Sequence, residues 1–277
     1  MNLQFPITIE KLDFSIVDLE TISNPRFSCS YMQINEDDFY LKVNEVANYR
    51  VQKGNIIKIF PHKNSDIASI KLFLNGSVLG AILHQRATLP FHGSCFEYDQ
   101  KGIMICGVSG AGKSSVTAAF CKNGAQFIND DITPVEITDE STTIIPIKTK
   151  IKLWDDSLAK LDIVTNDLEK IRPSLEKFYL PVEKDFKKQQ TLHHIFVLST
   201  HTKNDFESFE LEGMAKFNTL RKQIYRKIYL KGMPETEKKY FKQLFLLVKN
   251  VRVTRIVRPQ LAEISTTMEY IKQQLEE

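Results

Sequence analysis

The first sixty or so residues alternate between short apolar runs and turn-forming residues, the pattern of short β-strands joined by tight turns. Apolar positions concentrate at residues 14–17, 39–43, 49–51 and 56–60. Turn-forming pairs such as Asn24-Pro25 and Lys53-Gly54 separate these runs. The pattern predicts a small β-rich lobe over residues 1–66, and it contains no cluster of side chains that indicates chemistry.

Beyond residue 66 the spacing of apolar positions changes and predicts helices that alternate with buried strands. Residues 67–85 have apolar side chains at helical spacing, although Gly76 and Gly80 interrupt them. The later segments predict strands at 91–98, 103–106, 126–128, 144–154, 192–199 and 251–257, and helices at 114–122, 156–161, 212–230, 235–248 and 260–274. Mixed strands and helices of this kind favour an α/β domain over residues 67–277.

One segment in this domain carries a recognisable chemical pattern. Gly107, Gly112, Lys113 and Ser114 complete the motif G-x-x-x-x-G-K-[ST], with a predicted strand before it and a predicted helix behind it. Glycines let backbone N–H groups turn towards phosphate oxygens, the lysine supplies a positive charge, and the serine hydroxyl is a Mg²⁺ ligand. A chance glycine-rich turn is the alternative, but the strand–loop–helix setting favours a nucleotide-binding loop.

Two further groups of polar residues flank this motif. His92 stands at the entry of the strand before the loop, where a lone histidine is usually structural. Asp130 and Asp131 end the strand that follows the loop helix, a place from which carboxylates can hold Mg²⁺ or deprotonate a hydroxyl. The alternative for the aspartates is a turn before Thr133-Pro134 in which their side chains bind backbone amides.

Composition narrows the classes of function. The chain has 277 residues, of which 42% are hydrophobic and 26% charged, and a net charge of +3. A charge this small does not indicate nucleic-acid binding. Its four cysteines form no C-x-x-C pair, and the adjacent His193 and His194 would face opposite sides of a strand, so neither set predicts a metal site. The N-terminus does not resemble a signal sequence, and we expect a cytoplasmic protein without a membrane span.

Three segments together resemble the HPr kinase/phosphorylase family. They are Leu-Pro-Phe-His-Gly-Ser at residues 89–94, the loop at 107–115, and Phe-Ile-Asn-Asp-Asp at 127–131. The run Leu-His-Gln-Arg at 83–86 is similar to shorter relatives of those enzymes, including serine kinases that phosphorylate lasso-peptide precursors. The resemblance implies an α/β, P-loop catalytic domain of the HPr-kinase-like (phosphoenolpyruvate carboxykinase-like) type, joined to a small β-rich N-terminal lobe.

The resemblance also implies roles for individual residues. His92, Lys113, Asp130 and Asp131 would be catalytic, with Asp131 as the base towards the acceptor hydroxyl and His92 near the transferring phosphoryl group. Ser114 and Asp130 would bind Mg²⁺. The residues that would contact ATP are Gly107, Ser109, Gly110, Ala111, Gly112, Lys113, Ser114, Ser115, Lys177 and Arg226.

Two departures from the family weaken HPr as the substrate. Val108 stands where HPr kinases have an aspartate, and their Leu-Glu-Ile-Arg-Gly segment is absent from the sequence after the Asp pair. We therefore expect a Mg²⁺- and ATP-dependent kinase acting on a serine of a different peptide or small protein, such as a natural-product precursor peptide. The alternatives are a regulatory module that senses ATP without transferring phosphate, and a small-molecule phosphotransferase. HPr kinases are hexamers, so the resemblance leaves a homo-oligomer open.

Overall fold

The computed structural model describes residues 5–147, 150–182 and 188–276. The chain divides into two compact units, the first formed by Met1–Pro90 with Tyr225–Gln243 and the second by Phe91–Ile224 with Leu244–Glu277. The predicted domain boundary after residue 66 stays a prediction. The first unit contains the predicted β-rich lobe, and it also takes in the helical segment that follows residue 66.

The first unit is built on one six-stranded sheet. Its strands are β1 Lys11–Phe14, β2 Phe27–Cys29, β3 Met32–Ile34, β4 Asp38–Val43, β5 Ala47–Gln52 and β6 Ile56–Pro61. They lie in the order β1-β6-β5-β4-β3-β2, with β1 parallel to β6 and every other pair antiparallel. Alternating apolar positions put Phe39, Tyr49 and Ile59 into the core of this unit, as the pattern predicted.

A continuous helical segment covers one side of this core. It consists of α1 Ile67–Phe73, a π-helical stretch Leu74–Val78 and α2 Leu79–Gln85. A side chain at Gly80 would come within 2.8 Å of the Tyr225 ring, so this glycine permits close packing. The segment is long and apolar enough to cross a membrane by length and composition, yet 67% of its most apolar window is buried, as in the core helices of soluble proteins.

The chain enters the second unit through β7 Leu89–Phe91. The remaining elements are β8 Gly93–Tyr98, β9 Lys101–Gly107, α3 Lys113–Lys122, β10 Gln126–Asn129, β11 Thr133–Ile137, β12 Thr142–Ile144, β13 Ile151–Trp154, α4 Asp155–Ala159, β14 Lys177–Leu180, β15 Gln190–His201, β16 Glu207–Glu210, α5 Gly213–Lys222, α6 Pro234–Asn250, β17 Arg252–Pro259 and α7 Ile264–Glu276. Helix α6 begins in the first unit and ends in the second. The chain is therefore a mixed α/β protein with several sheets.

The centre of the second unit explains where its polar residues meet. Strand β9 lies between β8 and β15, and both β9 and β17 run parallel to β15. The carboxyl ends of β9, β15 and β17 therefore fall at one edge of the sheet. Helix α3 packs on this sheet and on β13 through Val116 and Phe120, which join the core around Phe96. The loop between β9 and α3 is thereby fixed at that edge.

Several predicted elements differ in detail from the structure. The strand expected at 14–17 ends at Phe14, and β2 and β3 were not predicted because three-residue strands give too few alternations to recognise. The strand expected at 144–154 is two strands, β12 and β13, and the helix expected at 212–230 is α5 followed by a 3₁₀ turn at Lys227–Gly232. All four cysteines are free.

Candidate active site

The loop between β9 and α3 has glycines with positive φ angles, and two of them belong to the sequence motif. Gly107 has φ 143°, and a side chain there would lie 2.5 Å from the carbonyl oxygen of Leu198 on β15. Gly112 has φ 99°, in the left-handed region that favours glycine, and it immediately precedes α3. Both residues belong to the sequence motif, so the structure gives a conformational reason for each of them.

Lys113 begins helix α3 and points back into the loop. Its ammonium group donates to the carbonyl oxygens of Gly107 at 3.0 Å and Val108 at 3.1 Å. The residue is only 8% exposed, and burial lowers the pKa of its ammonium group. The amides of the first turn of α3 have no acceptor within the helix. This end of the loop therefore offers N–H donors and a cation to an anion.

Asp130 and Ser114 form a pair of oxygen ligands beside the loop. The Ser114 hydroxyl donates to Asp130 Oδ1 at 2.8 Å, and the backbone N–H of Lys152 donates to Asp130 Oδ2 at 2.9 Å. Asp130 is almost fully buried, and burial, followed by the negative charge of Asp131, raises the pKa of its carboxyl group. A cation near this carboxylate would relieve both effects. The pair fits the oxygen ligands that Mg²⁺ takes from proteins.

Asp131 follows in a left-handed conformation, with φ 73°. Its Oδ2 accepts from the ammonium group of Lys152 at 3.1 Å, and its Oδ1 lies 3.4 Å from Nδ1 of His92. Burial acts to raise the pKa of this carboxyl group, but its interactions with Lys152, His92 and Lys177 outweigh burial and lower the pKa to about 2. Asp131 is therefore a carboxylate at neutral pH.

His92, between β7 and β8, is oriented by the backbone around it. Its Nδ1 lies 3.0 Å from the carbonyl oxygen of Asp131, and because a carbonyl only accepts, Nδ1 carries the proton. Burial, and then the charge of Lys113, lower the pKa of the ring. A neutral His92 in this tautomer has its lone pair on Nε2.

The structure adds three residues that the sequence did not point to. Lys152 contacts both aspartates, one through its backbone and one through its side chain. Gln223 accepts from the backbone N–H of His92 at 2.7 Å and, through its side chain, from that of Gly107 at 3.1 Å. Arg258 donates to the carbonyl oxygen of Ala111 at 3.2 Å. Only Arg258 had a usable signal, since it lies near the carboxyl end of a predicted buried strand.

These groups border one open cleft of about 870 Å³ in the second unit. The predicted residues that line it are His92, Ser109, Gly110, Gly112, Lys113, Ser114, Ser115, Asp131 and Lys177, and the unpredicted ones include Lys152, Trp154 and Arg258. Asp130 lies beneath it, bonded to Ser114 and Lys152. Gly107 and Ala111 belong to the loop that forms its edge.

Arg226 is not one of the groups that the second unit gathers. It belongs to the first unit, where its guanidinium group lies 5.6 Å from the centre of the Tyr225 ring. Its predicted contact with nucleotide phosphates stays a prediction. Lys177, by contrast, reaches the cleft, and its ammonium group lies 5.2 Å from the centre of the Trp154 ring.

Comparison with known proteins gives a limited result. No protein-family model matches the chain, and no curated protein matches it. Among solved structures, the chain is similar to the Hpr(Ser) kinase/phosphatase from Coxiella burnetii, with 10% sequence identity and a TM-score of 0.35 over 67% of this chain and 89% of that one. A likeness of this extent concerns the fold alone, and the function has to be inferred from the geometry of the cleft.

Proposed function

We propose that this chain is a Mg²⁺- and ATP-dependent kinase that transfers the γ-phosphoryl group to a serine hydroxyl of a peptide or small protein. One observation carries the proposal. A single cleft brings together a glycine-constrained loop with Lys113, the Ser114–Asp130 oxygen pair, and the ionised carboxylate of Asp131 beside His92. Phosphoryl transfer needs a phosphate cradle, a metal position and a group that receives the acceptor's proton.

The loop side of the cleft suits the donor. Backbone N–H groups at the start of α3 would bind the β-phosphate, and Lys113 would exchange its two loop carbonyls for β- and γ-phosphate oxygens. Ser114 and Asp130 would hold Mg²⁺, which when bound neutralises charge on the β- and γ-phosphates. Among the described residues no group of three or more His, Cys, Asp or Glu side chains could hold a metal. Phosphate and water oxygens would therefore complete the coordination, as is usual for Mg²⁺.

The opposite side suits the acceptor. The serine oxygen forms a bond to the γ-phosphorus as the bond from phosphorus to the β-phosphate oxygen breaks, and the hydroxyl proton passes to Asp131. Lys152 and His92 hold this carboxylate ionised and in place. A weakly basic carboxylate is sufficient because the transition state is loose and the acceptor loses its proton late.

Catalysis explains the cleft better than ATP sensing does. A sensor needs the loop, Lys113 and the metal pair, but it has no use for a second carboxylate held between Lys152 and His92. We infer further that the acceptor is a protein or peptide of the cytoplasm rather than a nucleic acid or a membrane lipid. The net charge of +3 agrees with the absence of a polyanionic partner.

The direct test is phosphorylation in solution. The full chain is mixed with Mg²⁺, ATP and candidate serine peptides, and intact masses are measured for a gain of about 80 Da per phosphoryl group. Precursor peptides encoded beside this gene are the first candidates. Lys113→Ala is the matched control, and we expect it to transfer nothing while its circular dichroism is unchanged.

The outcomes separate the competing functions. Nucleotide binding that depends on Lys113 but transfers phosphate to no peptide, protein or small-molecule acceptor would identify a sensor. Transfer to a small molecule alone would identify a metabolic phosphotransferase. Equal phosphorylation of a peptide by the wild type and by Lys113→Ala would overturn the assignment of the site.

A further inference from the structure

Trp154 lines the cleft but has no role in the proposed phosphoryl transfer. It is the only tryptophan of the chain, it is 48% exposed, and it ends strand β13 on the wall of the same cleft. Its partner across the two-stranded sheet is Lys177, whose ammonium group lies over its ring.

The geometry of β13 places Trp154 away from the phosphate side. Lys152 and Trp154 are two residues apart on one strand, so they lie on the same face, about 6–7 Å apart along it. The ammonium group of Lys152 contacts Asp131, where the γ-phosphate has to react. Trp154 therefore lies further along the cleft wall than Lys152.

The charge of the cleft also changes along its length. The loop side carries Lys113, Lys152 and Arg258, whereas Asp155 and Asp156 line the cleft directly after Trp154 in sequence. Lys160, Glu176 and Lys177 line the cleft as well. Two carboxylates disfavour phosphate groups but accept hydrogen bonds from sugar hydroxyls. A nucleoside triphosphate has the same order of groups, with its anionic phosphates at one end and its uncharged base and sugar at the other.

We propose that Trp154 is the stacking platform for the purine base of the nucleotide, with Asp155 and Asp156 beside the ribose. This inference rests on the proposed function, because it needs the triphosphate in the β9–α3 loop. Lys177 lies between the two ends, since it contacts the Trp154 ring and its charge acts on Asp131. When nucleotide binds, the ammonium group of Lys177 moves onto the phosphates and the base takes its place on the indole.

The single tryptophan makes a direct experiment available. Its fluorescence is recorded while the full chain is titrated, in Mg²⁺, with ATP and separately with inorganic tripolyphosphate. Tripolyphosphate fills the phosphate sites without a base. We expect ATP to quench the emission strongly and tripolyphosphate to change it only slightly, through movement of Lys177.

The affinities of variants for ATP and for tripolyphosphate, measured by calorimetry, complete the test. Trp154→Ala should weaken the affinity for ATP about 5- to 150-fold, the range expected for loss of base–aromatic stacking, and leave the affinity for tripolyphosphate within about twofold. Trp154→Phe keeps an aromatic ring, and we expect it to bind ATP within about threefold of the wild type. This second variant also keeps the test valid if Trp154→Ala folds poorly.

Three results would overturn the inference. Equal loss of ATP and tripolyphosphate in Trp154→Ala would show that Trp154 only supports the loop. If Trp154→Ala binds ATP as tightly as the wild type while Lys113→Ala does not, the purine base binds elsewhere. The proposed function is then unaffected. Quenching by an acceptor peptide but not by ATP would assign Trp154 to the acceptor. Failure of the proposed function is a separate outcome, in which neither ATP nor tripolyphosphate binds the wild type.

Discussion

Two ion pairs, one in each unit, show how similar chemistry serves structure in one place and reaction in another. In the first unit, Arg50 on β5 binds Asp38 on β4 with two N–O contacts of 3.0 and 2.7 Å. Gln52 donates to the same carboxylate, and Arg50 donates further to the carbonyl oxygen of Glu20. Arg50 and Asp38 thus make four hydrogen bonds with groups of the protein.

The pair in the second unit, Lys152 and Asp131, is open to the cleft. Lys152 makes one 3.1 Å contact with Asp131, whose other oxygen faces His92 at 3.4 Å. Both partners line the 870 Å³ cleft. This carboxylate contacts Lys152 and His92 at the edge of a cavity, where a substrate can reach it. The Arg50–Asp38 pair stabilises a sheet, and the Lys152–Asp131 pair is available to ligands.

The largest effect that tests this contrast is loss of the open carboxylate. Asp131→Asn keeps a residue that tolerates φ 73° but removes the charge and the proton acceptor. We expect phosphoryl transfer to fall at least about 1000-fold, equivalent to roughly 4 kcal/mol, and the free energy of unfolding to fall by about 2 kcal/mol, the stabilisation that corresponds to a carboxyl pKa lowered from 3.8 to about 2. Single-turnover kinetics and urea unfolding measure the two quantities. Transfer above about a tenth of the wild-type rate would contradict the role of Asp131.

The second effect comes from a buried nitrogen atom in the first unit, Nδ1 of His84, that has no hydrogen-bond partner among the described residues. His84 is fully buried, its Nε2 bonds the carbonyl oxygen of Tyr225 at 2.8 Å, and its Nδ1 has no partner among the described residues. Burial lowers the pKa of this ring from 6.5 to about 4, because a proton on Nδ1 would be left without an acceptor.

A lowered pKa in the folded state fixes the sign of the pH effect. The unfolded chain binds the proton more readily than the folded one. The contribution of neutral His84 to the free energy of unfolding is therefore complete above pH 6.5 and is lost as the pH falls towards 4. The loss is roughly 3 kcal/mol in total and about 2 kcal/mol at pH 5. Urea unfolding at pH 7.5 and pH 5 measures the loss. His84→Gln keeps an N–H donor without titrating, and it should lose about 2 kcal/mol less than the wild type over this range. The same loss in both proteins would exclude His84 as the cause.

The third effect concerns the Arg50–Asp38 pair of the first unit. Asp38→Asn leaves Arg50 without its carboxylate, and we expect a loss of about 1–2 kcal/mol in the free energy of unfolding, since both side chains are about one-fifth exposed. Transfer should stay within about twofold at temperatures where the variant is folded. A loss of transfer comparable to that of Asp131→Asn would remove the distinction between the two pairs.

The smallest effect concerns a residue that positions the open site from outside it. The side chain of Gln223 holds the N–H of Gly107, while its backbone oxygen holds that of His92. Gln223→Ala removes the contact to Gly107 and a long one, 3.5 Å, from the Gln223 amide to the carbonyl oxygen of Thr219, but it keeps the backbone contact to His92. We expect transfer to fall about three- to tenfold, with the main loss in ATP affinity rather than in the rate at saturating ATP. Initial-rate kinetics over a range of ATP concentrations separate the two, and an unchanged Michaelis constant would contradict this role.

The sequence by itself determined the local parts of this protein. Alternating apolar residues located β4 to β6, the helical spacing of 67–85 located α1 and α2, and the glycines and Lys113 of the loop located the turn between β9 and α3. These features depend on residues close together in the chain, whose φ/ψ preferences and periodic burial act locally. Such local preferences do not predict a contact between His92 and Asp131, and only the family resemblance implied that both lie near the reacting phosphoryl group.

Only the tertiary structure decided which polar groups share the cleft. The 3.4 Å approach of His92 to Asp131, the two contacts of Lys152 and the reach of Lys177 to Trp154 join residues from separate strands. Such distances follow from sheet order and from the packing of β13 on α3, which many distant residues set together. Arg226 belongs to the first unit, and its predicted contact with nucleotide phosphates stays a prediction.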